Sequence, residues 1–462
     1  MRHLPVLPAG AGSLASDGRR NFVHPADVRG RLRRIRLAVF AVLVAVWIAL
    51  PIVQIGGRPA LFLDVARREF YVLGAAFNAQ DAWLLVFAVT GAGFLLALVT
   101  SLWGRVFCGY ACPQTVFLEG LYRPIERLIE GSREARIRLS RAPWTARKIA
   151  KKVAKHAAFL VASLAVAHVT LGLFVSLPSL WLMLGAGPAA HPEAFGWAMA
   201  ITAFCYVDFA WFREQLCLIV CPYGRLQSAL TDEDTIVIGY DAARGEPRGK
   251  ASDPSAGDCV DCRRCVVVCP TAIDIRNGMQ LDCIGCSACV DACDEVMVKL
   301  DRPKGLVRYD SQRGFEAKPR RFFRPRLLAY AALGLAGVAA TIFASSRRTG
   351  FEASLLREKG APYVVEDGAQ RNSFTMHLVN KSTREESFDL SPADGENLEL
   401  AISETQVVLE PMRDTRVRVV AVRRLADGAP APDKVRLRVV RRSDGETHVV
   451  EAKFVGPLGK VR

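Results

Sequence analysis

The chain has 462 residues, 51% of them apolar, with 61 Lys and Arg against 46 Asp and Glu for a formal net charge of +15. That length suits two to four domains, and an apolar share this high, gathered in blocks, argues against a wholly soluble protein. The basic excess could suggest nucleic acid, but it clusters beside the apolar blocks, which points to membrane topology instead.

Residues 1–36 read as a basic arm, with Arg29, Arg31, Arg33, Arg34 and Arg36 crowding its end. "GRRNFV" at 18–23 has the look of a twin-arginine signal only superficially, since the basic segment runs on to Arg36 and no small-residue cleavage site follows. Five nearly charge-free stretches come next, at about 37–55, 82–103, 157–177, 194–212 and 327–345. Each is long enough to cross a hydrocarbon core of roughly 30 Å. The loop after the second holds Arg133, Arg136, Arg138, Arg141, Arg147, Lys148, Lys151, Lys152 and Lys155, whereas the loop after the third holds no Lys or Arg. Positive residues are retained in the cytoplasm, so 104–155 and 213–326 are expected there and everything after 346 on the opposite face.

The expected organisation is a multi-domain membrane protein. A basic arm (1–36) leads to four spans with two repeated thiol elements (37–230). A cytoplasmic ferredoxin-like α+β insert (231–326), a fifth span (327–345) and an outer all-β domain (346–462) complete it. All 13 cysteines precede residue 294. Twelve fall in segments assigned to the reducing face, where cysteine clusters bind metal or do redox chemistry. Cys205, inside the fourth span, reads as a small buried apolar residue.

The thiol elements are "WGRVFCGYACPQ" and "WFREQLCLIVCPYG". Each follows a span and places Cys-x3-Cys-Pro after a Trp and an Arg, giving Cys108 and Cys112 in one and Cys217 and Cys221 in the other. Proline disfavours a helical residue before it but suits the first position of a new helix. Cys112 is therefore expected to open a helix, and Cys221 by analogy. Helix N-termini and a nearby Arg105 or Arg213 would lower the thiol pKa values, and soft thiolates select Cu(I), zinc or iron–sulfur. After Pro113 the pattern of Phe117, Leu118, Leu121, Ile125, Leu128 and Ile129 predicts an amphipathic helix along the headgroups, kinked at Pro124. Glu119, Arg123, Glu126 and Arg127 fall on its polar side.

In the insert, "CVDCRRCVVVCP" is C-x2-C-x2-C-x3-C-P, and "CIGCSACVDAC" repeats the spacing with Asp294 in the proline position. In paired runs of this kind the fourth cysteine ligates the other cluster. One [4Fe–4S] cluster is thus expected on Cys259, Cys262, Cys265 and Cys293, and a second on Cys283, Cys286, Cys289 and Cys269. A zinc site would use two separated cysteine pairs. Asp294 is expected to affect loop rigidity, not cluster number.

Beyond 351 the runs "SFTMHLVN", "NLELAI", "TQVVLEP", "RVRVVAV", "KVRLRVV" and "HVVEAKFVG", separated by "ADGEN", "ADGAPAP" and "RSDGE", predict a β-sandwich serving as a docking module. The sequon at 380–382 is read as chance. His156 and His168 read as satisfied polar residues in preference to haem ligands, and Asp208 is either functional or solvated. No dinucleotide fingerprint is present, so the electron donor is expected to be external.

"GRVFCGYACPQTVFLE", "DFAWFREQLCLIVCPYGRLQ", "DCVDCRRCVVVCPTAIDIRNGMQLDCIGCSACVDACDEVM" and "PKGLVRY", in this order, resemble the CcoG/FixG/RdxA family of cytochrome c oxidase accessory proteins over nearly the whole chain. The resemblance implies a multi-pass protein of the bacterial inner membrane with a periplasmic immunoglobulin-like domain. It implies a metal (cupric) reductase that turns Cu(II) into Cu(I) for assembly of cbb3-type cytochrome c oxidase. By motif, Cys108, Cys112, Cys217 and Cys221 would handle copper and the eight insert cysteines would store electrons. The partners implied are the membrane, oxidase subunits, copper-handling proteins and an external donor, with no nucleic acid; homo-oligomers stay open. Two other functions fit the same motifs: a quinol-oxidising membrane ferredoxin of the NapH or NosR kind, and a non-enzymatic copper chaperone. Four thiolates would also suit a third cluster.

Overall fold

The computed structural model describes residues 22–78, 81–321, 323–347, 349–366, 368–393, 398–424 and 433–456. The arm up to residue 21, most of "ADGEN" and "ADGAPAP", and the chain end lie outside these. Two compact units emerge, one holding the chain up to Phe62 with Val86–Thr341, the other Leu63–Leu85 with Ile342 onward.

In the first unit, helix α1 (Arg31–Ala49) begins six residues earlier than the apolar pattern suggests. Its N-terminus is capped from far away: Asp291 accepts from the backbone N–H groups of Leu32 at 3.2 Å and Arg33 at 2.7 Å. A Cβ at Gly30 would fall 2.1 Å from the Asp291 carboxyl carbon, so only glycine admits this approach. After α1 the chain turns at Gly56–Gly57, both at positive φ, into the hairpin β1 (Gln54–Ile55) and β2 (Arg58–Pro59). Paired positive φ values are what a tight hairpin needs, and they end the expected first span before residue 55. Among the described residues four helices are long and apolar enough to cross a membrane: Ala82–Trp103, Ala146–Leu171, Pro192–Phe212 and Pro325–Ser346. Helix α1 occupies the place of the first expected span, its count of arginines setting it apart from the other four.

Helix α2 (Ala82–Trp103) packs on the last helix of the unit through glycine. A Cβ on Gly337 would lie 2.6 Å from Gly91 Cα, and one on Gly334 2.8 Å from a Leu95 methyl. Close backbone contact of this kind replaces the hydrophobic drive that lipid removes. Three short helices follow, α3 (Val106–Tyr110), α4 (Pro113–Phe117) and, after a π-helical turn at Leu118–Tyr122, α5 (Arg123–Glu130). Then come α6 (Arg133–Arg141), α7 (Ala146–Leu171), α8 (Leu177–Ala186) and α9 (Pro192–Val207). The basic loop expected at 104–155 is thus largely helical. Cys205 is buried with Leu118, Tyr122, Phe159, Ala162, Val166 and Phe209, as its apolar reading requires.

Helix α9 runs through a π-helical turn (Asp208–Phe212), and a second such turn (Leu216–Val220) leads into α10 (Pro222–Leu230). The insert then contributes α11 (Ala242–Gly245), α12 (Arg264–Val267), α13 (Ala288–Lys299) and α14 (Gln312–Phe315) before α15 (Pro325–Ser346). Strands Val237–Tyr240 and Val307–Asp310 pair antiparallel beneath them. Asp294 corrects the expectation of a changed loop. With no proline there, α13 continues for another turn, and the Asp294 carboxylate accepts from Gly305 N at 2.9 Å.

The second unit is all-β. One sheet is built on Ala369–Asn380, paired with Asp414–Arg424, Phe351–Arg357 and Val364–Glu366, with Glu399–Ile402 at its edge. The other orders Gln406–Leu409, Glu386–Pro392, Lys434–Arg441 and Thr447–Lys453. Their alternating inward residues, among them Phe351, Phe374, Met376, Phe388, Val419 and Leu437, form one core. Asn380 of the sequon is fully buried and donates to the carbonyls of Arg384, Leu409 and Glu410. Three strands at Leu61–Asp64, Glu69–Val72 and Ala75–Asn78, which no sequence pattern revealed, precede α2. Lys381 joins this segment to the sandwich, pairing with Asp81 at 3.1 Å and Glu352 at 2.6 Å.

Candidate redox centre

The two cysteine runs of the insert fold as near copies. Arg263 and Ser287, the residues before α12 and α13, both adopt left-handed backbone, with φ of 53° and 61°. That turn lets the middle cysteine of each run face the same side as the first and third. Cys259, Cys262, Cys265 and Cys293 line one cavity. Cys269, Cys283, Cys286 and Cys289, together with Cys265, line another. The crossing of the fourth cysteines is therefore present in the fold. Among the described residues no three His, Cys, Asp or Glu side chains close on a single-ion position. The sulfurs gather in two sets of four with no single-ion position among them, which suits a polynuclear cluster better than zinc.

Cys112 is the residue preceding α4, with Pro113 at the first helical position, and Cys221 precedes α10 with Pro222 in the same place. The proline argument holds in both copies. The elements also meet. Gln227 of α10 places its amide nitrogen 3.5 Å from Cys108 Sγ, Arg105 donates to the Gly224 carbonyl, and Tyr223 packs edge-on against Phe107. Gln114, next to Pro113, donates to Asp208 at 3.2 Å and to the Arg213 carbonyl at 3.0 Å. Asp208 is thus buried and hydrogen-bonded, not solvated.

One expectation fails. Burial pushes the Cys108 thiol up to about 11, against the opposing effects of Gln227 and Arg105. Burial likewise pushes Cys217 to about 12, with Cys112, Cys108 and Cys221 adding to the rise, and it raises Cys112. Helix N-termini and Arg105 do not overcome desolvation, so Cys108, Cys112 and Cys217 are not low-pKa nucleophiles. Arg213 is turned away from the thiols altogether.

The thiol element lies directly against the second cavity. Cys108 packs with Val268, Ile284, Cys286, Ala288 and Ala292. A Cβ on Gly109 would fall 2.6 Å from the Gly285 carbonyl oxygen, and one on Gly285 2.9 Å from that of Arg105. The Tyr110 and Ser287 hydroxyls share a 2.7 Å hydrogen bond, and Tyr309 donates to Gly285 O at 3.2 Å.

Beneath this centre sits a buried ionic lattice that the sequence reading placed on the wrong side of a helix. Glu126 is fully buried, within 3.4 Å of Arg136 and Lys155 and 3.1 Å of Arg213. Glu119 pairs with Arg123, and Glu130 with Lys152 and Lys155. Leu128, expected on the apolar face, is instead 86% exposed. The charged face of α5 turns inward because α6, α7 and the turn at 213 bring it opposite charges. The acid–base alternation through 119–130 was the available signal. His156 bonds Tyr206 and His168 bonds the Leu164 carbonyl, as satisfied polar groups do.

Apolar helices, paired cysteine runs and the sandwich define a membrane-associated 4Fe–4S electron-transfer protein. Matches to known families agree: residues 212–312 fit a 4Fe–4S dicluster domain, 84–131 a 4Fe–4S binding domain, and 341–457 the IG-like fold at the C-terminal of FixG. The chain is 37% identical to protein RdxA of Cereibacter sphaeroides over 80% of its length and 81% of that protein. It is 35% identical to nitrogen fixation protein FixG of Rhizobium meliloti over 81% and 79%, and 35% identical to protein RdxB of Cereibacter sphaeroides over 90% and 92%. It belongs to the FixG/RdxA family.

Proposed function

We propose that the protein reduces Cu(II) to Cu(I) at the bacterial inner membrane for assembly of cbb3-type cytochrome c oxidase. Cys259, Cys262, Cys265 and Cys293 would hold one [4Fe–4S] cluster, and Cys269, Cys283, Cys286 and Cys289 the other. The donor sets suit them: each pocket is lined by four thiols that close on no single-ion position. Such clusters supply one-electron storage when bound. Copper is the substrate, Cu(II) taking one electron to become Cu(I). Cys108, Cys112, Cys217 and Cys221 would hold it, since soft thiolates favour the reduced ion. No three of them close on one position, so a pair of sulfurs is the proposed binding unit. The arm and insert would be cytoplasmic and the sandwich periplasmic, docking oxidase subunits or copper-handling proteins, with electrons from an external donor.

The observation that carries this reading is the backbone contact between Gly109 and Gly285, which sets the Cys108 element against the second cluster cavity with no intervening layer. The test is anaerobic. The reduced protein is mixed with Cu(II) while cluster absorbance and chelator-trapped Cu(I) are followed together. A variant with serine at Cys108, Cys112, Cys217 and Cys221 should keep its cluster spectrum and lose Cu(I) formation. Cu(I) at the original rate from that variant would end the assignment, and loss of iron and sulfide from it would give the thiols to a third cluster.

A further inference from the structure

A cavity of about 470 Å³ opens between the arm, α1, α5 and the two cysteine runs, and its walls carry Arg33, Arg36, Arg123, Arg127 and Arg136 against only Asp27 and Glu119. Glu119 serves three of these guanidinium groups at once. It pairs with Arg123, which also reaches Glu214 at 3.4 Å, and Arg33 and Arg36 approach it only at 3.9 Å. Arg127 pairs with Asp27 at 3.1 Å, and Arg136 draws on Glu126 from behind the wall. Three N–H positions in the set, Arg36 Nη2, Arg123 Nε and Arg136 Nε, are buried with no acceptor among the described residues. Buried cations outnumbering their carboxylates are costly unless an anion joins them. Guanidinium forks match the oxygens of a phosphoryl group.

We propose that this cavity binds a phosphoryl group, carried either by an anionic phospholipid or by a free phosphate. Its mouth suits both, for Arg127 and Leu128 stand exposed side by side there. The site is tied to both redox elements through its own arginines. Arg36 Nε donates to the Gly109 carbonyl at 2.8 Å, one residue past Cys108. Arg123 Nη2 donates to the Pro270 carbonyl at 3.2 Å, one residue past Cys269. An oxyanion drawing on Arg36 and Arg123 would brace those two carbonyls together. The proposal stands whether or not copper is the substrate.

The full-length protein in detergent is titrated with inorganic phosphate, with chloride at equal ionic strength as control, and binding is read by calorimetry. In parallel it is placed in nanodiscs of phosphatidylcholine with or without phosphatidylglycerol, and retained lipid is read by native mass spectrometry. Wild type should bind phosphate, which assigns a soluble ligand, or selectively retain phosphatidylglycerol, which assigns a lipid. The double variant Arg33→Gln/Arg127→Gln alters the two more exposed arginines, and its fold is checked by circular dichroism. It should bind at least tenfold more weakly. Absence of both signals in wild type, or equal binding by the folded variant, overturns the proposal.

Discussion

Replacing Glu126 by Gln removes one negative charge from the centre of the ionic lattice and leaves the side chain nearly isosteric. Burial would raise its pKa, but Arg213, Lys155 and Arg136 outweigh that and hold it at about 2. A fall from 4.5 to about 2 amounts to roughly 3 kcal/mol, at about 1.4 kcal/mol for each tenfold change in proton affinity. An independent guide agrees, since removing one partner of a buried ion pair costs about 3–5 kcal/mol. Glu126→Gln should therefore lose about 3 kcal/mol in guanidinium unfolding of the detergent-solubilised protein at neutral pH. The sign with pH follows from the lowered value: the contribution is complete above about 4.5 and fades as pH falls toward about 2. Wild type should lose stability across that window by more than the variant does. A variant within about 0.5 kcal/mol of wild type, a change typical of surface substitutions, would refute the claim that this carboxylate anchors the lattice.

Gly109→Ala forces a methyl against the Gly285 carbonyl. Overpacking of this kind costs about 1–3 kcal/mol, and hydrogen exchange at 105–110 and 284–287 should rise together. Asp294→Pro should shorten α13 at the cost of about 3 kcal/mol and release Gly305, read as lost amide protection at 294–299. Burial takes His24 down to about 4, with Arg136 and Arg213 adding to the fall and Glu126 opposing it. The neutral ring therefore favours the docked arm fully above about 6.5, and that contribution is lost as pH drops from 6.5 toward 4. Exchange at 22–28 should increase over that range in wild type and less so in His24→Gln.

The apolar blocks and the cysteine spacing made the helical bundle and the crossed cysteine sets readable before any coordinates, because both are short-range patterns with few physical solutions. The sandwich was readable from alternation, although Phe351–Arg357 and Glu386–Pro392 escaped notice, the latter carrying charge and proline among its apolar residues. What the sequence hid was pairing at a distance. Arg36 looked like a topological signal but is 1% exposed and holds the Gly109 carbonyl. Glu126 looked like a solvated face because its partners lie on α6, α7 and the turn at 213. The thiol pKa values went the wrong way for the same reason. Helix ends and nearby cations can be read from neighbours in sequence, whereas desolvation depends on what the rest of the fold stacks on top.

The capping of α1 by Asp291 spans 258 residues between Arg33 and its acceptor. At about 5–20 residues per second of synthesis, α1 waits roughly 10–50 s after its own synthesis for the carboxylate that completes it. During biogenesis the early bundle must therefore persist in the bilayer with an open end, and translation of the cysteine-rich insert becomes the event that locks the amino-terminal segment in place.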